Sequence, residues 1–282
     1  MPEFPVLSLR LMDCSAPYEK ARIVLFGAPF DGTVSFRPGS RFGPQAMRQD
    51  AIGLEGYSPY QDREIDTTEI LDLGDLDLPM GDKEHALRLI RDTVAQIAGD
   101  GKFPLMLGGE HLVTLGVIQA LVEQYPDLCI VHLDAHTDLR QDYLGVELSH
   151  ATVMRRIWDL LGDGRIFQLG IRSGTAEEFK FAREGHTTLY PFALGHFAEI
   201  QQAIAGRPVF LTIDLDVLDP SVFSGTGTPE PGGVDFLSAM RFIVEAGSLN
   251  LVGADLVELA PHYDPSGVST AVALKLLREL II

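Results

Sequence analysis

Apolar residues along the chain alternate between two rhythms. Short, nearly unbroken apolar runs read as buried strands: RIVLFGAP (22–29), EILDLG (69–74), FPLMLGG (103–109) and LCIVHLDAH (128–136). RIFQLGI (165–171), TTLYPF (187–192), PVFLTIDLD (208–216) and LNLVGADLVEL (249–259) continue the series. Between them the spacing turns helical. A helix is expected over 42–55 beside Pro44, a second with Leu87, Ile90, Val94 and Ile97 on one face, and a third with Leu112, Leu115, Ile118 and Leu121. Further helices are expected over about 150–161, after the capping-box pair Thr175 and Glu178, between TTLYPF and PVFLTIDLD, over 235–247, and at the C-terminus on Val268, Val272, Leu276 and Leu280. Strands separated by helices of this length predict βαβ units, hence an α/β fold with a mainly parallel sheet covered on both faces. No repeat, low-complexity tract or linker intervenes, so residues 1–282 are expected to form a single domain.

The apolar runs end in polar side chains that a core does not tolerate. LMLGGEHLVT puts Glu110 and His111 just after a strand; VHLDAHTD does the same with Asp134, His136 and Asp138. FLTIDLDVLDP adds Asp214 and Asp216, and LVGADLVEL adds Asp255 and Glu258. Ligands of open parallel sheets bind beyond the carboxyl ends of the strands, so four runs deliver acids and imidazoles to one edge. An unpaired buried carboxylate is strongly unfavourable. Oxygen and nitrogen donors without thiolate suit Mn²⁺, with Zn²⁺ an alternative. The four aspartates balance two divalent ions, which can hold a hydroxide at neutral pH. His132, inside its strand, reads as a hydrogen-bonded core histidine. His85, His186, His196 and His262 read as ordinary surface or packing residues.

Composition narrows the partners. The chain of 282 residues is 46% hydrophobic, enough for a sizeable core. A formal charge of −18 leaves no basic stripe for nucleic acid and favours a cationic partner. Cys14 and Cys129 give no disulfide framework; Cys129 lies in LCIVHL as a core residue. Glu3, Arg10 and Asp13 interrupt the N-terminus, so no signal peptide is expected, and no run is long enough to span a membrane. The expected location is the cytoplasm.

GGEH (108–111), DAHTD (134–138), IDLDVLDP (213–220), GTGTPEPGG (225–233) and DLVELAPHYD (255–264) occur in the order of the signature blocks of the ureohydrolases, the arginase and agmatinase family, and GSRFGPQAMR (39–48) resembles its N-terminal block. The resemblance implies an arginase–deacetylase-like three-layer α/β/α fold, two Mn²⁺ per chain, a homo-oligomer (trimer or hexamer), and hydrolysis of a guanidino group to urea. It implies that His111, Asp134, Asp138 and Asp214 hold the first metal, and Asp134, His136, Asp214 and Asp216 the second. The family usually has GGDH where this chain has GGEH; Glu110 fills no ligand role.

The same resemblance gives Asp138 the task of orienting a metal-bridging hydroxide and His150, in ELSHATVMRR, that of passing a proton to the leaving amine, which suits a group titrating near pH 6.5. Glu258 is expected to pair with the guanidinium of a small cationic substrate. The loop LRQDYLGVELSH lacks the Asn- and Ser-containing pattern of arginases and resembles agmatinases, so the expected reaction is agmatine to putrescine and urea, a step of polyamine biosynthesis. Arg140 could instead bind the carboxylate of guanidinobutyrate, or be an ion-paired loop residue. Other substrates to weigh are aminopropylagmatine and arginine. The rival classes are a catalytically inactive metal-binding relative and a mononuclear zinc deacetylase of the same architecture.

Overall fold

Every long apolar run becomes a strand of one sheet in the computed structural model, which describes residues 10–282. The reading of residues 1–9, including Glu3, lies outside the described residues. The first half of the chain gives β1 (Ile23–Ala28), α1 (Gly43–Asp50), β2 (Tyr57–Ser58), β3 (Arg63–Glu64), β4 (Ile70–Asp75), α2 (Lys83–Gly99), β5 (Phe103–Gly108), α3 (Val113–Gln124) and β6 (Cys129–Leu133). The second gives α4 (Val153–Leu161), β7 (Ile166–Ile171), α5 (Ala176–Arg183), β8 (Thr188–Pro191), α6 (Phe197–Ile204), β9 (Val209–Asp214), α7 (Phe236–Ala246), β10 (Leu251–Val257) and α8 (Val268–Ile281). The eight-stranded sheet runs β4-β1-β5-β10-β9-β6-β7-β8, and all its pairings are parallel.

Side chains of a strand alternate between the faces of the sheet, and here both faces are apolar. Leu25, Leu105, Val131, Leu211 and Leu256 pack on one side against Met47 of α1, Ile200 of α6, Phe242 of α7 and Leu276 of α8. Phe26, Met106, Ile130, Ile166 and Phe210 pack on the other against Ile90 of α2, Ile118 of α3, Ile157 of α4 and Ala182 of α5. The result is the expected three layers, helices on both faces of a central sheet. Cys129 is a fully buried core residue, also as expected.

The observed ends differ from the periodicity where acids intervene. β6 stops at Leu133 rather than His136, and β9 at Asp214 rather than Asp216. In each case the aspartate that follows or ends the strand turns its carboxylate back on the chain. Asp134 Oδ1 accepts from the His136 N–H at 2.5 Å and Asp214 Oδ1 from the Asp216 N–H at 2.8 Å. These local bonds replace the ladder. The first helix ends at Asp50 and continues as a 3-10 turn over Ala51–Gly53; α4 is preceded by one over His150–Thr152. The antiparallel pair β2–β3 was not expected, being too short to leave a periodicity.

Asp264 anchors the start of α8 and the loop beside it. Its carboxylate accepts from the backbone and hydroxyl of both Ser266 and Ser269, and Ser269 Oγ in turn accepts from the Gly225 N–H at 2.9 Å. Burial opposes ionisation of Asp264, but these donors outweigh it and lower its pKa from 3.8 to about 2. A depressed carboxylate stabilises the fold above its unfolded pKa, and that contribution disappears as pH falls through the folded value. Asp264→Ala should therefore destabilise the protein by about 1–2 kcal/mol at pH 7. The difference from the parent should shrink as pH is lowered from 3.8 towards 2, read from urea midpoints. A pH-independent difference would contradict the assignment.

Candidate metal centre

The strand order brings the polar ends together. β6 lies beside β9, with Leu133 paired to Ile213, so Asp134 and Asp214 leave adjacent strands at the same level. β10 lies between β9 and β5. Beyond it, the Glu258 N–H donates to the Gly109 carbonyl, and Glu258 Oε1 accepts from the His111 N–H at 2.8 Å. A side chain at Gly109 would stand 2.0 Å from the Phe30 carbonyl oxygen, so this turn requires glycine. Asp138 and Glu258 have φ of 52° and 66°, a region non-glycine residues occupy at a penalty of about 1–3 kcal/mol. The fold holds both carboxylates in strained positions at the sheet edge.

Around His111 Nδ1 stand Asp134 Oδ2 at 3.1 Å, Asp138 Oδ2 at 3.3 Å and Asp214 Oδ2 at 3.3 Å. Around His136 Nδ1 stand Asp216 Oδ2 at 3.0 Å and Asp134 Oδ1 at 3.5 Å. Asp134 thus turns one oxygen to each imidazole. His111 Nδ1 is buried and has no hydrogen-bond partner. Ligand atoms about 2.1 Å from one ion and subtending 90–109° lie roughly 3.0–3.4 Å apart. The spacings fit donors arranged around cations. All six expected metal residues converge, but not quite as expected. One group of donor atoms within 4.8 Å of one another is His111, His132, Asp134 and Asp138, and another is Asp134, His136 and Asp216. Asp214 enters through its contact with His111.

Electrostatics leads to the same place. Asp134, Asp138, Asp214 and Asp216 are all buried, and two charges 4 Å apart interact by about 4 kcal/mol at an effective dielectric of 20. Burial and neighbouring Asp134 push the Asp138 carboxyl up to about 7. Burial, Asp216 and Asp134 raise Asp214 well above the carboxylate range. Burial by itself would depress the His111 imidazolium, but the carboxylates around it raise its pKa well above the ordinary value. The cluster takes up positive charge, as protons or as cations. Divalent ions are the hard acceptors this oxygen-rich set suits.

A cavity of about 240 Å³ opens over the cluster, lined by His111, Asp138, Asp214, His150, Glu258 and Tyr143 among others. His150 lies 3.2 Å from Ser35 Oγ through Nε2, and its N–H donates to Thr33 Oγ1. Thr33 in turn donates through its N–H and hydroxyl to Glu110, so Glu110 supports the wall and binds no cluster atom directly. Burial, with His136, His111 and Arg140 nearby, lowers the His150 pKa to about 4. That is below the ordinary imidazole value, so the half-buried ring is neutral at pH 7. Arg140 pairs with Glu178 at 3.7 Å and lies over the Tyr143 ring, the ion-paired alternative. Ser35, Tyr143, Thr228 and Glu230 were not singled out by the sequence reading, and Glu178 only as a capping-box residue. Thr228 donates to Asp216 Oδ2 at 3.2 Å and Glu230 lies 3.7 Å from His136 Nε2. Thr228 of the GTGTPEPGG loop lines the cavity, and the acid of that loop, Glu230, was the signal available for it in the sequence.

Residues 21–282 match the Arginase family. The chain belongs to the arginase family. The expected ureohydrolase class and fold both stand. Over 268 residues this family member is 47% identical to an agmatinase of Bacillus cereus, covering 94% of this chain and 92% of that one. It is 40% identical to an N(1)-aminopropylagmatine ureohydrolase of Thermococcus kodakarensis, covering 91% and 89%. The crystal structure of the agmatine ureohydrolase of Thermoplasma volcanium superposes with a TM-score of 0.89 at 34% identity, covering 98% of this chain and 94% of that one.

If cations occupy the cluster, binding must stabilise the fold. Mn²⁺ at 100 times its dissociation constant should raise stability by about 2.7 kcal/mol, measured as a rise in thermal midpoint that a chelator reverses. Asp134→Asn should bind Mn²⁺ at least about tenfold more weakly by calorimetry, the lower end for a buried charged ligand. An unchanged affinity would exclude Asp134 from the centre.

Proposed function

We propose that this arginase-family enzyme hydrolyses agmatine to putrescine and urea on a pair of Mn²⁺ ions. The first ion would be held by His111, Asp134, Asp138 and Asp214, the second by Asp134, His136, Asp214 and Asp216. The observation that carries the choice of substrate is the cavity lining: Glu258 stands by the cluster, and the lining cation, Arg140, is already paired with Glu178. An α-carboxylate finds no free cation there among the described residues. The likeness to agmatinases supports the same choice.

When bound, the ions acidify water and so supply the nucleophile near neutral pH. The remaining work falls to side chains. Glu258 is fixed by the His111 N–H at Oε1, and its second oxygen has no protein partner among the described residues. A guanidinium supplies parallel N–H donors that a carboxylate receives, and this places the guanidino carbon over the cluster. Asp138, held at positive φ, orients the attacking water. Water adds to the guanidino carbon, the bond to the alkyl nitrogen breaks, and that nitrogen takes a proton. His150, neutral and in reach of Ser35 Oγ, relays the proton to the departing amine.

A second reading has one observation in its favour: Arg140 faces the cavity with 38% of its side chain exposed, so guanidinobutyrate could draw it from Glu178. Aminopropylagmatine and arginine complete the set of alternatives. In this reading residues 1–282 form one ureohydrolase domain that acts in the cytoplasm as a homo-oligomer, a trimer or hexamer. Among the described residues no helix is long and apolar enough to cross a membrane.

Urea release from agmatine, aminopropylagmatine, guanidinobutyrate and arginine, with Mn²⁺-loaded protein, should give the highest kcat/KM for agmatine; arginine as the best substrate would refute the choice. Glu258→Gln should lower kcat/KM by about 10²-fold through loss of a charged pair. His150→Asn should lower kcat by about 10²-fold or more with little change in KM. A KM effect alone would remove His150 from proton transfer.

A further inference from the structure

His132 stands among the donor atoms grouped with His111, Asp134 and Asp138, yet its neighbours determine that it cannot serve as a ligand there. The deciding residue is Gln168, which faces it across the β6–β7 pairing, His132 to Gln168. Both side chains are fully buried. Gln168 Nε2 lies 2.8 Å from the Thr137 carbonyl oxygen, which can only accept. Gln168 Oε1 accepts from the Thr187 hydroxyl at 2.9 Å. These two contacts fix which end of the amide is nitrogen, a choice that otherwise has to be assigned. The second amide hydrogen then points to His132 Nδ1 at 3.1 Å. Nδ1 must accept, so the ring proton of neutral His132 is on Nε2. That nitrogen donates to Asp134 Oδ2 at 2.7 Å.

We infer that Gln168 is a positioning residue for the metal centre: by holding His132 as the Nε2–H tautomer it makes His132 a donor to Asp134 rather than a ligand. The inference rests on the reading that Asp134 binds metal. A ligating Nε2 would require the proton on Nδ1, facing an amide N–H, two donors with nothing between them. The arrangement instead clamps the one carboxylate that turns an oxygen toward each imidazole, and fixing such a carboxylate from behind tunes its ion. Thr187 and the Thr137 carbonyl complete the clamp, so β6, the loop after it, β7 and the segment before β8 all contribute to the orientation of one aspartate.

The test is selective ¹⁵N-histidine labelling of the metal-free full chain, with imidazole nitrogen shifts assigned through a His132→Gln control spectrum. The inference requires the His132 signals of a protonated Nε2 and an unprotonated, accepting Nδ1; a protonated Nδ1 overturns it. Gln168→Met, close in volume but without the amide, should weaken Mn²⁺ binding at least about tenfold by calorimetry with the circular dichroism spectrum unchanged. Gln168→Glu should draw the proton to Nδ1 and weaken binding likewise, a change that simple loss of packing would not produce. Should the Met variant fail to fold, Thr187→Val, which frees only Gln168 Oε1, tests the same clamp and should weaken Mn²⁺ binding several-fold. Wild-type affinity in folded variants overturns the inference. Failure of the agmatine assignment would alter the substrate panel and leave the tautomer and the metal affinity as they are.

Discussion

Charge crowding at one sheet edge is the constraint from which the rest of this structure follows. Asp134, Asp138, Asp214, Asp216 and Glu258 are all buried at or just beyond the ends of β6, β9 and β10, where mutual repulsion exceeds what exposed pairs feel. Protons or cations must compensate it. The buried, unpartnered Nδ1 of His111, surrounded by three carboxylate oxygens at ligand-to-ligand spacing, favours cations. Strained backbone at Asp138 and Glu258 is tolerable only because the sheet and its two apolar layers over-determine these positions.

Parallel topology makes the crowding possible. Every strand of the large sheet ends on the same side, and the order places β5, β10, β9 and β6 consecutively. His111, Glu258, Asp214 and Asp134 therefore come from four neighbouring strand ends, although the first and third are 103 residues apart in sequence. Arg172 tightens the rim by donating to the backbone carbonyls of Asp216, Leu218 and Glu230. Helices on both faces give the sheet its rigidity, and loops such as 225–233 add the walls.

The fold was legible because each strand run and each helical face carries its own period, and both faces of the sheet are apolar. DAHTD, IDLD and GGEH were legible because charged residues at buried strand ends contradict their context. Other features left no such contradiction. Ser35, Tyr143, Glu178 and Thr228 come from loops or a cap, where a polar residue is unremarkable until the fold brings it to the cavity. The helical part of Glu178's pattern was visible, as the capping box with Thr175, but not its second contact with Arg140. Strand ends were misplaced at β6 and β9 because the acids that suggested a continuing alternation are the groups that terminate it. Gln168 sits in an ordinary apolar run; its role depends on a neighbour in the adjacent strand, which sequence order does not reveal.

In the proposed centre two divalent ions would share Asp134. Anomalous diffraction from crystals grown with Mn²⁺, recorded on both sides of the manganese edge, tests this directly. Two peaks roughly 3.5–4 Å apart, one beside His111 and one beside His136 with Asp134 between them, are the expected result. A single peak, or none at the strand ends, would contradict it.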